Sequence, residues 1–240
     1  MSKNLKIFLG LFYLLILFTF LYFVFSGVQV SRLGDFSYYK ELQTDLDVYM
    51  NTNTIVKIFY FFIFSIVWVS LLGFGSPILI FSGIIFGQWL GTLISVFSIS
   101  IGALTLYIIG NFFFSDLVKS LLQKKFEKYI ILFQKNEFFY FFIYRFIGGL
   151  GVPFFLQNLL PILFRMKKLN YFFASFLGFI PSFYITNTIG SGLSTYIAQA
   201  DSFSIIELIL TKDIYLPILM VSGLMFVSLI IKKKFFDGKI

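Results

Sequence analysis

Three side chains in this sequence have the types and spacing to hold a charged group: Arg145, Gln157 and Asn158. Arg145 is the only charged residue between Glu137 and Arg165, and it stands in an apolar run over residues 138–164. A charge placed at membrane depth is expensive unless something partners it. A guanidinium presents a planar fork that grips phosphate through two parallel hydrogen bonds, so the chemistry it fits is recognition of a phosphate-bearing group. The competing account is that Arg145, about two turns into its limb, snorkels back to the headgroups. Gln157, Asn158, Asn187 and Asn111 are neutral polar groups on apolar segments, able to contact a headgroup or to satisfy backbone freed at helix breaks.

The element that must position Arg145 is unusual. A spanning helix needs about twenty apolar residues, but Gly149-Leu150-Gly151-Val152-Pro153 divides the run into limbs of 11 and 12 residues. At ~1.5 Å per residue each limb reaches roughly 17 Å into a hydrocarbon layer ~30 Å thick. Neither limb can cross, so the spacing predicts a re-entrant hairpin turning at Gly149, Gly151 and Pro153.

The pattern occurs twice. Gly73-Phe74-Gly75-Ser76-Pro77 repeats the Gly-x-Gly-x-Pro spacing, and the same offset of 76 residues carries Gly102 onto Gly178. A shared proline and shared flanks favour an internal duplication. A first hairpin over residues 55–87, turning at Gly73, Gly75 and Pro77, is therefore expected, followed by a crossing over 89–110. The alternative is that 55–72 spans outright and the hairpin is 77–110. Gly83, Gly87, Gly91 and Gly102, with Gly178 and Pro181 in the second half, are read as close-packing sites or helix breaks.

Composition sets the class. The chain has 240 residues, 59% hydrophobic and 12% charged, with a mean hydropathy of +0.92, outside the range of a soluble domain. It reads as an all-α integral membrane protein with one membrane domain. There is no Cys and no His, which removes thiolate chemistry, sulfur metal sites and the commonest metal ligand and general base. Catalysis would need carboxylates, and all eleven Asp and Glu are placed in loops, surface helices or the tail. No P-loop or dinucleotide fingerprint occurs. An enzyme, a metal and a cofactor are therefore not expected. The net charge of +8 comes from clusters flanking apolar segments, which fits positive-inside topology rather than nucleic-acid binding.

In order, residues 1–54 hold a first helix (7–27) and an acidic surface segment with an apolar stripe of Phe36, Tyr39, Leu42, Leu46 and Tyr49. Residues 55–193 form the core with both hairpins. Residues 194–240 hold an acidic loop, a last helix (214–231) and a basic tail. Between the hairpins, residues 111–137 carry an apolar stripe opposed by lysines, either an anionic-lipid surface or a simple connector. Residues 170–190 cross outward, interrupted by Gly178 and Pro181. The charge bias then gives about four crossings, two hairpins and both termini cytoplasmic. In that topology the halves are inverted repeats with facing hairpin tips, a plan that transporters use for alternating access.

Several residues also carry a family resemblance. Pro77 with Gly83-x-x-Phe86-Gly87-x-x-x-Gly91, then Gly102 and Gly110, resembles the first half of the DedA superfamily, also called VTT-domain or SNARE-associated Golgi proteins. Tyr144-Arg145-Phe146, Pro153-Phe154, Asn158, Gly178, Pro181 and Gly190-Ser191-Gly192 are similar to its second half. The resemblance covers residues 55–193. It implies two facing re-entrant hairpins and movement of polyprenyl-phosphate or phospholipid across a bacterial inner membrane in envelope homeostasis, with Arg145 as a motif arginine. The family's embedded first-half acids are missing from residues 58–115, and its Gly-Arg is Gly110-Asn111 here. Passive scrambling fits these departures better than proton-driven transport. The expected function is therefore a lipid translocase or scramblase acting on phosphate-bearing membrane lipids, with no nucleic acid and with homo-oligomers allowed. The rivals are a small-solute transporter or channel on the same repeat, and a non-transporting assembly factor.

Overall fold

A computed structural model describes residues 3–32, 35–50, 53–122, 127–200 and 204–235. Among these residues every regular element is helical. Lys3–Phe25 forms α1, Phe36–Met50 α2, Thr54–Leu72 α3 and Ser76–Leu122 α4; Glu127–Lys135 forms α5 and Glu137–Phe146 α6. Phe154–Leu159 and Pro161–Phe164 are α7 and α8, Lys168–Gln199 is α9, Ile205–Leu210 is α10 and Lys212–Phe235 is α11. Four described helices are long and apolar enough to cross a membrane: α1, α3, α4 and α9.

The breaks follow from local chemistry. Asn53 caps α3 by accepting from Ile55 N at 2.9 Å, and Gly73 ends it in the left-handed conformation, its N–H bonded to Val69 O at 2.9 Å. The indole of Trp68 then donates to Phe74 O at 2.9 Å and holds the turn. Gly87, at φ 72° and ψ 179°, divides α4 into two helices, 76–86 and 88–122. That backbone region is open essentially to glycine alone. In the second half Asn136 caps α6 through Phe139 N, a 3-10 turn occupies Gly148–Gly151, and Pro153 starts α7. Arg165, at φ 53°, turns the chain into α9.

These bounds revise three expectations. The first limb, α3, is 19 residues long and meets the length of a crossing by itself, because its only break comes at Gly73. Gly178 and Pro181 do not interrupt α9, which runs 32 residues. Gly178 keeps helical geometry to admit a neighbour, while Pro181 removes only one N–H from a ladder whose other bonds remain. The acidic loop expected over 191–213 is largely helical, since α9 continues to Gln199 and α10 follows. The basic connector of 111–137 coincides with the end of α4 and with α5. Of its stripe, Lys124, Lys125 and Phe126 lie outside the described residues, as do the side chains of Leu117, Val118, Lys119, Leu121, Leu122 and Lys128.

Helices α4 and α9 make the largest contact in the molecule. Trp89 meets Tyr184, Phe97 meets Phe176 and Tyr107 stacks on Tyr171 at 4.8 Å. Numbers rise along one helix as they fall along the other, so the pair is antiparallel. Each long helix carries a parallel neighbour from its own half. Phe61 packs on Phe86, and Ile66 and Val69 lie over Gly102; Glu137 meets Lys167, and Phe142 and Arg145 lie over Gly178. The fully buried centre joins Val69, Ile99 and Ala103 to Phe141, Tyr171 and Ala174. Outside it, Leu15, Phe18, Tyr22 and Phe23 of α1 are exposed, as suits a surface that meets lipid rather than water.

The two nearest contacts at Gly102 recur at Gly178 displaced by 76 residues: Ile66 O becomes Phe142 O and Val69 Cβ becomes Arg145 Cβ. The first glycine break also touches the second half, with Gly73 against Phe155 and Gly75 against Phe154.

Candidate functional site

Arg145 occupies the last turn of α6 and is 1% exposed. It reaches the interior because Gly178, with no side chain, lets α6 lie directly on α9. A Cβ at Gly178 would stand 3.0 Å from Phe142 O and overlap Arg145 Cβ. Snorkelling is thereby overturned, since the guanidinium points into protein and not toward a headgroup layer. Nη1 donates to Gln157 Oε1 at 3.0 Å, and Nη2 donates to Asn158 Oδ1 and to the Tyr171 hydroxyl, the latter at 3.1 Å. The structure thus brings together all three residues that the sequence singled out for binding.

The surroundings are aromatic. The guanidinium carbon lies 4.7 Å from the ring centres of Phe141 and Phe179, 5.5 Å from Phe154 and 5.8 Å from Tyr171. Ring faces attract a cation, and more strongly when water is excluded. Among the described residues no carboxylate comes within ion-pair distance of Arg145. Among those residues its charge is held by neutral oxygens and π faces.

Donors are left over. Among the described residues, Arg145 Nε and Asn158 Nδ2 are buried without a hydrogen-bond partner, as is the hydroxyl of Tyr144, the neighbour of Arg145 in sequence. Each of these groups can give a proton to an acceptor, and a buried polar group without a partner is costly. An anion, with acceptors on every side, is the ligand class such a set suits.

Sequence reasoning did not single out Tyr171 or Glu137. The Tyr171 hydroxyl accepts from Arg145 and lies 3.2 Å from both Asn158 Oδ1 and Ala103 O, which belongs to the other half. Its single proton serves one of those two acceptors at a time. Spacing alone could not distinguish it from the chain's many other aromatics. Glu137, expected at the surface, is 9% exposed. It accepts from Lys167 N at 3.3 Å and from Asn170 Nδ2 at 2.7 Å, fastening the start of α6 to the start of α9. A carboxylate at a helix N-terminus is favoured by the dipole and the free N–H groups there.

The other predicted positions serve the frame. Asn187, fully buried, donates to Phe183 O at 2.8 Å, and its backbone carbonyl rests on Gly83 while its Oδ1 faces Gly91. Pro77 lies in the first turn of α4. Replacing Tyr171 by Phe is expected to keep the ring stack on Tyr107 and to lower stability by about 1–3 kcal/mol, since it leaves Nη2 short of an acceptor. Thermal melting in detergent measures the loss.

The VTT domain model matches residues 72–192, half of the chain, and the protein belongs to that family, the DedA/SNARE-associated group of membrane proteins. The match begins at the end of α3 and closes in α9, so it contains both glycine breaks and the whole Arg145 cluster. No solved structure matches the chain.

Proposed function

We propose that this protein moves phosphate-bearing lipids, polyprenyl phosphates or phospholipids, between the leaflets of a bacterial inner membrane, without catalysis and without a cofactor. The observation that carries the reading is Arg145: a buried guanidinium with no carboxylate partner among the described residues and unpaired donors beside it. Phosphate supplies what that site lacks, because it offers negative charge and acceptors to fill the fork. Arg145, with Asn158, would hold the headgroup beside Gln157 while the hydrocarbon chain stays in lipid.

The transport plan draws support from the repeated contacts. The antiparallel pair α4 and α9, each with its own parallel neighbour and glycine break, suits two inverted repeats. On this reading α3 with residues 76–86, and the α6–α8 segment, each enter and return on one side, and their breaks face one another through Gly73, Gly75, Phe154 and Phe155. Inverted repeats of this kind place their site at the repeat interface. Tyr171, bonded to Arg145 and reaching Ala103 O, stands at that interface. Both termini are assigned to the cytoplasm from the charge bias.

The test is translocation in proteoliposomes containing the purified protein, followed with fluorescent phospholipid and polyprenyl-phosphate reporters against protein-free vesicles. Acceleration of either reporter supports the reading. Well-folded protein that accelerates neither removes it, and uptake of a soluble anion instead would favour a solute transporter.

A further inference from the structure

The Gln157 carboxamide makes two hydrogen bonds that pull in different directions. Its Oε1 accepts from Arg145 Nη1 at 3.0 Å, and its Nε2 donates to Val152 O at 2.7 Å, in the turn between α6 and α7. The amide lies flat on Gly149, in the space a Cβ would fill. Gly148, Gly149 and Gly151 all have positive φ, at 76°, 72° and 77°, so these glycines do not themselves resist a change of shape, and α11, which packs against the turn, gives way when it opens. A Cβ at Gly148 or Gly151 would meet nothing within 4 Å. Besides the Gln157 bond, the turn is closed by Val152 N donating to Gly149 O at 3.1 Å.

We infer that Gln157 is a latch: phosphate displaces its carboxamide from Arg145, the displaced amide releases Val152 O, and headgroup binding thereby opens the Gly148–Gly151 turn. The inference rests on Arg145 receiving a lipid phosphate. An anionic oxygen outcompetes a neutral carboxamide for a guanidinium, because it adds the attraction of opposite charges in an interior that screens them weakly. Gln157 cannot follow the displaced contact and keep Val152, since one rigid amide carries both its oxygen and its nitrogen. Gln157 is thus a positioning residue, acting through Arg145 and the turn.

The chain has no cysteine, so Val152→Cys places a single thiol in the turn while leaving the backbone carbonyl that Gln157 holds. Its rate of modification by a water-soluble maleimide is measured in micelles, with dioctanoyl phosphatidic acid as the probe and dioctanoylglycerol as the phosphate-free control. Phosphatidic acid should raise the rate about fivefold, the weight of one neutral amide–carbonyl hydrogen bond at ~1 kcal/mol, and dioctanoylglycerol should not. Gln157→Leu should react at the raised rate without lipid and gain nothing from it. Gln157→Glu, which keeps an acceptor for Arg145 but has no donor for Val152 O, should do the same and covers the case in which the leucine variant does not fold.

Binding of radiolabelled phosphatidic acid, compared with and without Arg145→Lys, separates the two readings. Arg145-dependent binding with an unchanged thiol rate overturns the latch and leaves the lipid reading standing. Absence of such binding overturns the lipid reading. In that event equal ligand-free rates in Gln157→Glu and its parent overturn the latch as well.

Discussion

Lysine at position 145 is expected to slow lipid-phosphate translocation on the order of 100-fold while the protein stays folded. The charge survives the change, but the fork does not. Arg145 divides its donors among Gln157, Asn158 and Tyr171 and lies among four aromatic rings. An ammonium is a compact point charge that cannot reproduce that planar set or grip phosphate in bidentate fashion. Losing about two charge-assisted bonds at ~1.5 kcal/mol each gives the stated factor. Alanine is the less informative variant, because it strands the Gln157 oxygen in the interior at about 1–3 kcal/mol and leaves Asn158 Oδ1 only the Tyr171 hydroxyl. The readout is initial reporter flux per reconstituted protein, beside a melting curve. Full flux in Arg145→Lys would show that positive charge alone suffices and that the fork plays no part.

How far this arrangement was legible in the sequence depends on the kind of signal. The turn around Gly149 to Pro153 was readable because limb length is an absolute constraint, although α6 ends at Phe146 and the 3-10 turn already begins at Gly148, the last residue of the expected limb. The joining of Arg145 to Gln157 and Asn158 was also within reach, since a hairpin brings together residues on either side of its turn. The offset of 76 proved informative beyond glycine and proline, because the contacts around Gly102 and Gly178 repeat it.

What was hidden depended on tertiary packing. Nothing local marks Tyr171 as the hydroxyl that meets both Arg145 and the other half. Glu137 looked like a surface carboxylate because it follows a lysine and an asparagine, yet the N-terminus of α9 covers it. The first half was harder to divide. Gly73 and Gly87 both break helices, and only the observed angles show that Gly87 separates residues 76–86 from the long crossing helix. At the offset of 76 Val69 stands where the second half has Arg145, so the buried guanidinium has no counterpart in the first half.

Alanine at Gly83 is expected to be the most destabilising single-methyl change in the frame. A Cβ there falls on the backbone of Asn187, against its carbonyl oxygen and 2.9 Å from its carbonyl carbon and Cα. Helix α9 cannot yield at that point, because Gly190 one turn on rests equally closely on Ile80 O. Overpacking of this kind costs roughly 1–3 kcal/mol, and more when backbone must shift. A melting temperature lower by about 5–10 °C should follow. Gly110→Ala provides a graded comparison, since the atoms it would meet are the ends of the Leu159 and Ile162 side chains, which can rotate away. Its loss should be smaller. Gly10→Ala in α1 meets nothing within 4 Å and should be neutral or mildly stabilising, as alanine favours helix over glycine by about 1 kcal/mol. If all three variants melt together, close approach of the two halves at Gly83 is not what holds them. If only Gly83→Ala falls, the contact between residues 76–86 and α9 is the seam of the molecule.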